Sequence, residues 1–168
     1  MEQLNDGTIN NMKKLQHSQI SKLDFFNTIF QFRECAKLCE KPQLMSNGVC
    51  KMLWAPGFCS YSFACELEMK FIYFITYETL PSHVHGLDSL FDILPNDIQI
   101  KIINSLASYC SKDEFDKNLK DYSRIFEQWR YKYEYSSINT MNKGFLIRFE
   151  SILYNIAQNL AKSSNVPI

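Results

Sequence analysis

Among the opposite charges that stand four residues apart in this chain, two pairs lie beside strongly apolar stripes, Glu66 with Lys70 and Arg130 with Glu134. On a helix that spacing brings the two side chains together, and the order of Glu66 before Lys70 is the favourable one. Exposed, such a pair stabilises a helix by roughly 0.2–0.5 kcal/mol. Partly buried, its charges are costly to leave unmatched, and it then anchors a polar site or a neighbouring loop. Glu66, Lys70, Tyr73 and Tyr77 follow at offsets of four, seven and eleven, which places them on one helix face. Proton transfer near neutral pH calls for an imidazole, and the chain has three histidines, His17, His83 and His85. His85 stands at the entrance of a short amphipathic segment, where it reads either as a hydrogen-bonded structural group or as part of a site.

Other chemistries find less support. No His-x(3)-His or Glu-x-x-His spacing occurs, and His83 and His85 lie two apart in a Pro-bounded stretch, so no metal is expected. The five glycines are scattered singly and build no phosphate cradle, and no cofactor is expected. Of the six cysteines, at 35, 39, 50, 59, 65 and 110, none forms a C-x-x-C pair. Cys35, Cys39 and Cys65 fall within apolar helical patterns and are expected as buried, reduced thiols. No base is paired with any of them for nucleophilic chemistry. Eighteen basic and eighteen acidic residues cancel, so no global field draws in nucleic acid or an anionic membrane, and any RNA or nucleotide contact must be local. The apolar run from Phe71 to Tyr77 is far below the ~20 residues that span a bilayer, and no secretory h-region opens the chain. The expectation is a soluble cytoplasmic protein with no membrane partner.

The elements that must position these residues follow from apolar periodicity. A chain of 168 residues suits one domain and buries about 70% of its unfolded surface. Residues 1–20 form a polar arm, 21–162 a single helical domain, and 163–168 a polar, frayed tail. Ser21 and Asp24 make a cap-like start for a helix running to about Glu40, with Phe25, Ile29, Phe32, Ala36 and Cys39 at helical spacing. Pro42, Gly48, Pro56 and Gly57 mark a loop packed on the core through Met52, Leu53 and Trp54. From Ser60 onward, Phe63, Ala64, Leu67, Phe71, Phe74 and Ile75 share one stripe, and Cys65, Met69 and Ile72 occupy another side. This is therefore an interior helix, expected to pack against the helices through Trp129 and Phe149. After Pro81 come a short segment with Leu87, Leu90, Phe91 and Leu94, and a helix opened by Pro95 and running to Ser111. Ser111 and Glu114 form a capping box for a long helix through Phe115, Leu119, Tyr122, Phe126, Trp129 and Tyr133. A last helix carries Phe145, Phe149, Ile152, Leu153, Ile156 and Leu160. No stretch sustains period-two alternation, so the fold class is all-α.

Two motifs resemble the HEPN domain, an all-α module associated with nucleotides and RNA. The first is Phe63, Ala64, Glu66 and Lys70 of an F-A-x-E-x-x-x-K helix, followed by His85, Leu87, Leu90 and Phe91 of an H-x-L-x-x-L-F segment. The second is Trp129, Arg130, Tyr131, Tyr133 and Glu134, similar to the W-R-Y-x-Y-E signature of small prokaryotic members. The likeness covers about residues 57 to 160. It implies a HEPN-like bundle of about five to six helices, a homodimer, and a non-catalytic nucleotide- or RNA-binding or regulatory role in a prokaryotic defence or toxin–antitoxin setting, alongside a nucleotidyltransferase or other protein partner. The binding residues it implies are Glu66, Lys70, His85, Trp129, Arg130 and Glu134. Ribonuclease members carry an Arg-x(4-6)-His motif on a late helix, and here no histidine follows Arg124, Arg130 or Arg148. No catalytic residue is therefore expected. Two alternatives stay open: a HEPN-type ribonuclease with an atypical site of His85, Arg130 and Lys70, and a structural dimerisation protein without ligand. Trp129 and Tyr133 read better as core aromatics than as base-stacking platforms.

Overall fold

The computed structural model describes residues 20–123 and 142–168. Among these the chain is all-α apart from one two-stranded hairpin. Its six helices are α1 (Lys22–Cys39), α2 (Trp54–Tyr77), α3 (Leu87–Asp92), α4 (Asn96–Leu106), α5 (Lys112–Tyr122) and α6 (Lys143–Ser163). The polar arm through residue 19, and Phe126, Trp129, Arg130, Tyr131, Tyr133 and Glu134, lie outside the described residues.

α1 begins where Ser21 Oγ accepts the Asp24 N–H at 3.1 Å, the cap expected from the sequence. Phe26, Ile29, Ala36 and Cys39 face the core, so the stripe enters through Phe26, with Phe25 only partly buried. Phe25 and Phe26 both meet Phe71 edge-on, at 5.4 and 5.5 Å between ring centroids. The segment after α1 departs from the expected loop in two ways. Gln43–Leu44 pairs antiparallel with Cys50–Lys51, and α2 begins at Trp54, six residues before the expected start. Pro56 and Gly57 read as breakers, yet a proline in the first turn loses nothing, because N–H groups there have no intrahelical acceptor. Gly57 has a packing role: a Cβ on it would lie 3.0 Å from the Cys39 Cβ, so its absence lets α1 and α2 approach closely.

α2 is the interior helix the pattern predicts. Tyr61, Ala64, Cys65, Met69, Phe71, Ile72 and Phe74 are buried, and the helix packs along α1 on one side and α6 on the other. α3 contributes Leu87, Leu90 and Phe91, and α4 contributes Ile102 and Leu106. α4 stops at Leu106, short of the expected Ser111, and a turn carries the chain to α5. The capping box is formed as expected, with Glu114 N–H to Ser111 Oγ and Ser111 N–H to Glu114 Oε2. The five-turn helix expected from Ser111 is not continuous, because α5 closes at Tyr122 and the Ser123 N–H turns back to the Lys120 carbonyl at 3.2 Å. The Ser123 hydroxyl then receives the Asp88 N–H at 3.1 Å and bonds the Asp88 carboxylate, tying the end of α5 to the start of α3.

α6 is capped by Asn142, whose Oδ1 accepts the Phe145 N–H and the Tyr109 hydroxyl. Phe145, Phe149, Leu153 and Ile156 enter the core, where Phe115 meets the Phe145 and Phe149 rings edge-on. Ile152 and Leu160 are only partly buried. The tail, expected to fray, is held as far as Val166. Asn165 takes a left-handed φ of 56°, the Val166 N–H reaches the Ala161 carbonyl at 2.9 Å, and the Val166 side chain is buried. No helix among the described residues is long and apolar enough to cross a membrane.

Candidate functional site

α2 and the loop before α3 bring Glu66, Lys70 and His85 to one point. Glu66 Oε1 lies 2.7 Å from Lys70 Nζ and 3.0 Å from His85 Nδ1, and Lys70 Nζ lies 3.4 Å from the same ring nitrogen. The helix supplies the first pair through its i,i+4 register. The loop supplies the histidine: His83 takes a left-handed φ of 59° and Gly86 caps α3, which together turn His85 back over α2. The Glu66 and Lys70 side chains are 11% and 15% exposed, whereas that of His85 is 75% exposed. An ion pair is thus seated at the edge of the core with an imidazole standing over it.

The hydrogen-bond roles follow from the two distances. With the carboxylate nearer, His85 Nδ1–H donates to Glu66, and Lys70 donates to the same oxygen rather than to the ring. In the neutral ring that leaves Nε2 as an acceptor, while Lys70 keeps donors beyond the one spent on Glu66. One turn further along this face, Tyr73 and Tyr77 lie with ring centroids 4.6 Å apart, and Tyr77 is exposed. The arrangement offers cation donors, one acceptor and an aromatic surface in sequence along a helix. Trp129, Arg130 and Glu134, the other half of the expected site, lie outside the described residues. Among the described residues no group of three or more His, Cys, Asp or Glu is placed to hold a metal ion.

A second polar cluster escaped the pattern reading. Arg33 of α1, Glu68 of α2 and Glu150 of α6 all face the interior. Arg33 Nε is 3.4 Å from Glu150 Oε1, and its guanidinium lies 3.7 Å over the Tyr154 ring. Burial pushes the Glu150 carboxyl up to about 7 and pushes Glu68 well above the usual carboxylate range. The sequence does hold a signal for them. Each of the three sits four residues after one fully buried apolar residue and three before another: Ile29 and Ala36 for Arg33, Ala64 and Phe71 for Glu68, Leu146 and Leu153 for Glu150. A charge centred in an apolar stripe has nowhere to go but inward.

The thiols divide. Cys39 and Cys65 are buried as expected, and burial raises both thiols above their usual value. Cys35 is exposed, contrary to its expected burial, and lies 3.5 Å from the Ser60 hydroxyl. Its position one residue before Ala36 carries it off the α1 core face. A scan against protein-family models and searches of the curated proteins and the solved structures find no match to this chain.

Proposed function

We propose that this chain is a non-catalytic, HEPN-like module that holds a nucleotide or single-stranded RNA on the face formed by Glu66, Lys70 and His85. The observation that supports this most is the convergence of two polar side chains, one from α2 and one from the loop before α3, on one Glu66 carboxylate oxygen, with the imidazole turned outward. Glu66 holds the cation and the ring in place, Lys70 offers a phosphate its remaining donors, and His85 Nε2 accepts from a sugar hydroxyl or a base N–H. The Tyr73 and Tyr77 rings supply a surface on which a base can stack, a contact worth about 1–3 kcal/mol per base. With zero net charge, such binding depends on these local contacts and weakens with salt.

Fluorescence anisotropy with a short labelled oligouridylate and with nucleotides tests the reading. Lys70→Ala should weaken binding roughly tenfold, the loss of one charge-assisted contact. Equal affinity in the parent and Lys70→Ala, or no binding by the parent at low salt, would sink it. The proposal includes pairing of two copies, which the family resemblance implies, and a monomer mass by light scattering at micromolar concentration would count against that part.

One observation favours a second reading. A carboxylate behind Nδ1 of an exposed imidazole is the arrangement that orients a general base, so His85 could act at an RNA 2′-hydroxyl with Lys70 on the phosphate. RNA cleavage by the parent that His85→Ala abolishes would establish this nuclease. Intact RNA with both proteins is the outcome expected here.

A further inference from the structure

Two carboxyl groups lie buried inside the bundle, one of them beside the Arg33 guanidinium. Glu68 has no exposed surface, and neither of its carboxyl oxygens has a hydrogen-bond partner among the described residues. Glu150 is 2% exposed, and Arg33 approaches its Oε1 at an ion-pair distance but without hydrogen-bond geometry. An ionised carboxylate with no partner is far costlier to bury than a neutral carboxylic acid, so a dry interior selects the protonated form. One guanidinium balances at most one of the two charges, and Arg33 already spreads its face over Tyr154.

From this geometry we infer that Glu68 and Glu150 form an interior proton-binding site, at which the folded chain holds protons near neutral pH that the opened chain releases. The step is a plain proton transfer: each carboxylate takes one proton from solvent on closure of α1, α2 and α6 and returns it on opening.

The surroundings fix the pH window. For Glu150, burial dominates, Arg33 and Lys37 of α1 oppose it, and Glu34 of the same helix and Glu40 at its C-cap add to it. For Glu68, burial dominates, the Glu150 charge adds, and Arg33 opposes. Cys65 of α2 and Tyr154 of α6 feel both carboxyls and Tyr61 of α2 feels Glu150, but burial pushes all three up, so they ionise above the window. Two carboxyls are lowered and titrate below it: Asp88, whose burial is outweighed by hydrogen bonds from Ser123 and Ser89, and Glu114, bonded by Ser111. A carboxyl raised in the folded state contributes its full stability below the ordinary value of 4.5 and loses it as pH rises through the folded value. The window therefore runs from 4.5 to about 7 for Glu150 and continues upward for Glu68.

Urea unfolding of the full chain between about pH 5 and about pH 8 tests the site, since each proton held only by the folded state changes the folding constant up to tenfold per pH unit. The parent should lose stability steadily as pH rises. Glu68→Gln, which keeps the shape and removes the titration, should flatten that slope and be the more stable protein at the upper end. A parent with no slope over this range, or a Glu68→Gln protein with the parent's full slope, overturns the inference. If Glu68→Gln does not fold, Glu150→Gln is read in the same way. Infrared spectroscopy of the parent at neutral pH is independent of both variants: a carboxylic-acid carbonyl band slow to shift in deuterium oxide supports the site, and its absence overturns it.

Discussion

Glu66 receives both Lys70 and His85 on one oxygen, so it is the residue whose loss costs that corner most. Glu66→Ala leaves a largely buried ammonium without its partner and should destabilise the fold by about 1–3 kcal/mol. Lys70→Ala should cost less, because Glu66 keeps the imidazole. Chemical denaturation of the two variants checks the order, and equal losses would mean that the carboxylate has no special place. Gly57 is a point of close approach between α1 and α2, and Gly57→Ala should cost about 1–3 kcal/mol by overpacking against Cys39. At this scale the sequence was half legible. The Glu66, Lys70 and His85 grouping could be read because an i,i+4 pair and a histidine at a helix entrance are local signals. The Arg33, Glu68 and Glu150 cluster could not, because it joins three helices far apart in sequence: the apolar neighbours of each charge turn it inward, but nothing local says which charges meet.

Among the elements, the two whose caps the sequence marked were placed to within a residue at that end: Ser21 for α1 and Ser111 for α5. α2 has no side-chain cap, and its true start was hidden by a proline and a glycine that both suit a first turn. The end of α5 was hidden differently, since the apolar spacing runs on past Tyr122 while the helix closes at Ser123, whose hydroxyl bonds Asp88. Removing that tie isolates its worth. Ser123→Ala strips the Asp88 N–H of its partner, leaves the Asp88 carboxylate with Ser89 alone, and should cost about 1–2 kcal/mol, with amide exchange rising first in α3. Exchange spread evenly over the bundle would show that the tie holds no element in particular. Asn142→Ala should cost about 1 kcal/mol through the lost cap of α6, measured by thermal unfolding.

Over the whole molecule, the all-α class followed from the absence of alternating stretches, and the small hairpin is too short to leave a period-two signal. The central place of α2 was legible from its apolar composition, but its two flanking partners were only partly so, because α1 was read as the first helix rather than as a wall of the core. Phe149, fully buried and packed on Phe115 and Phe145, should cost about 3–5 kcal/mol as Phe149→Ala, enough to abolish much of a small domain's stability. A loss below about 1 kcal/mol in urea unfolding would contradict the core described here.

α2 is walled on one side by α1, which precedes it directly, and on the other by α6, which begins only at Lys143. On a ribosome adding roughly 5–20 residues per second, α1 and α2 therefore emerge several seconds before the helix that closes their core. During that interval the side of α2 meant for α6 faces water, with Glu68 in its midst. The carboxyl that is costly to bury in the finished protein is then a solubilising group on a nascent chain, open to water until α6 arrives to claim the surface.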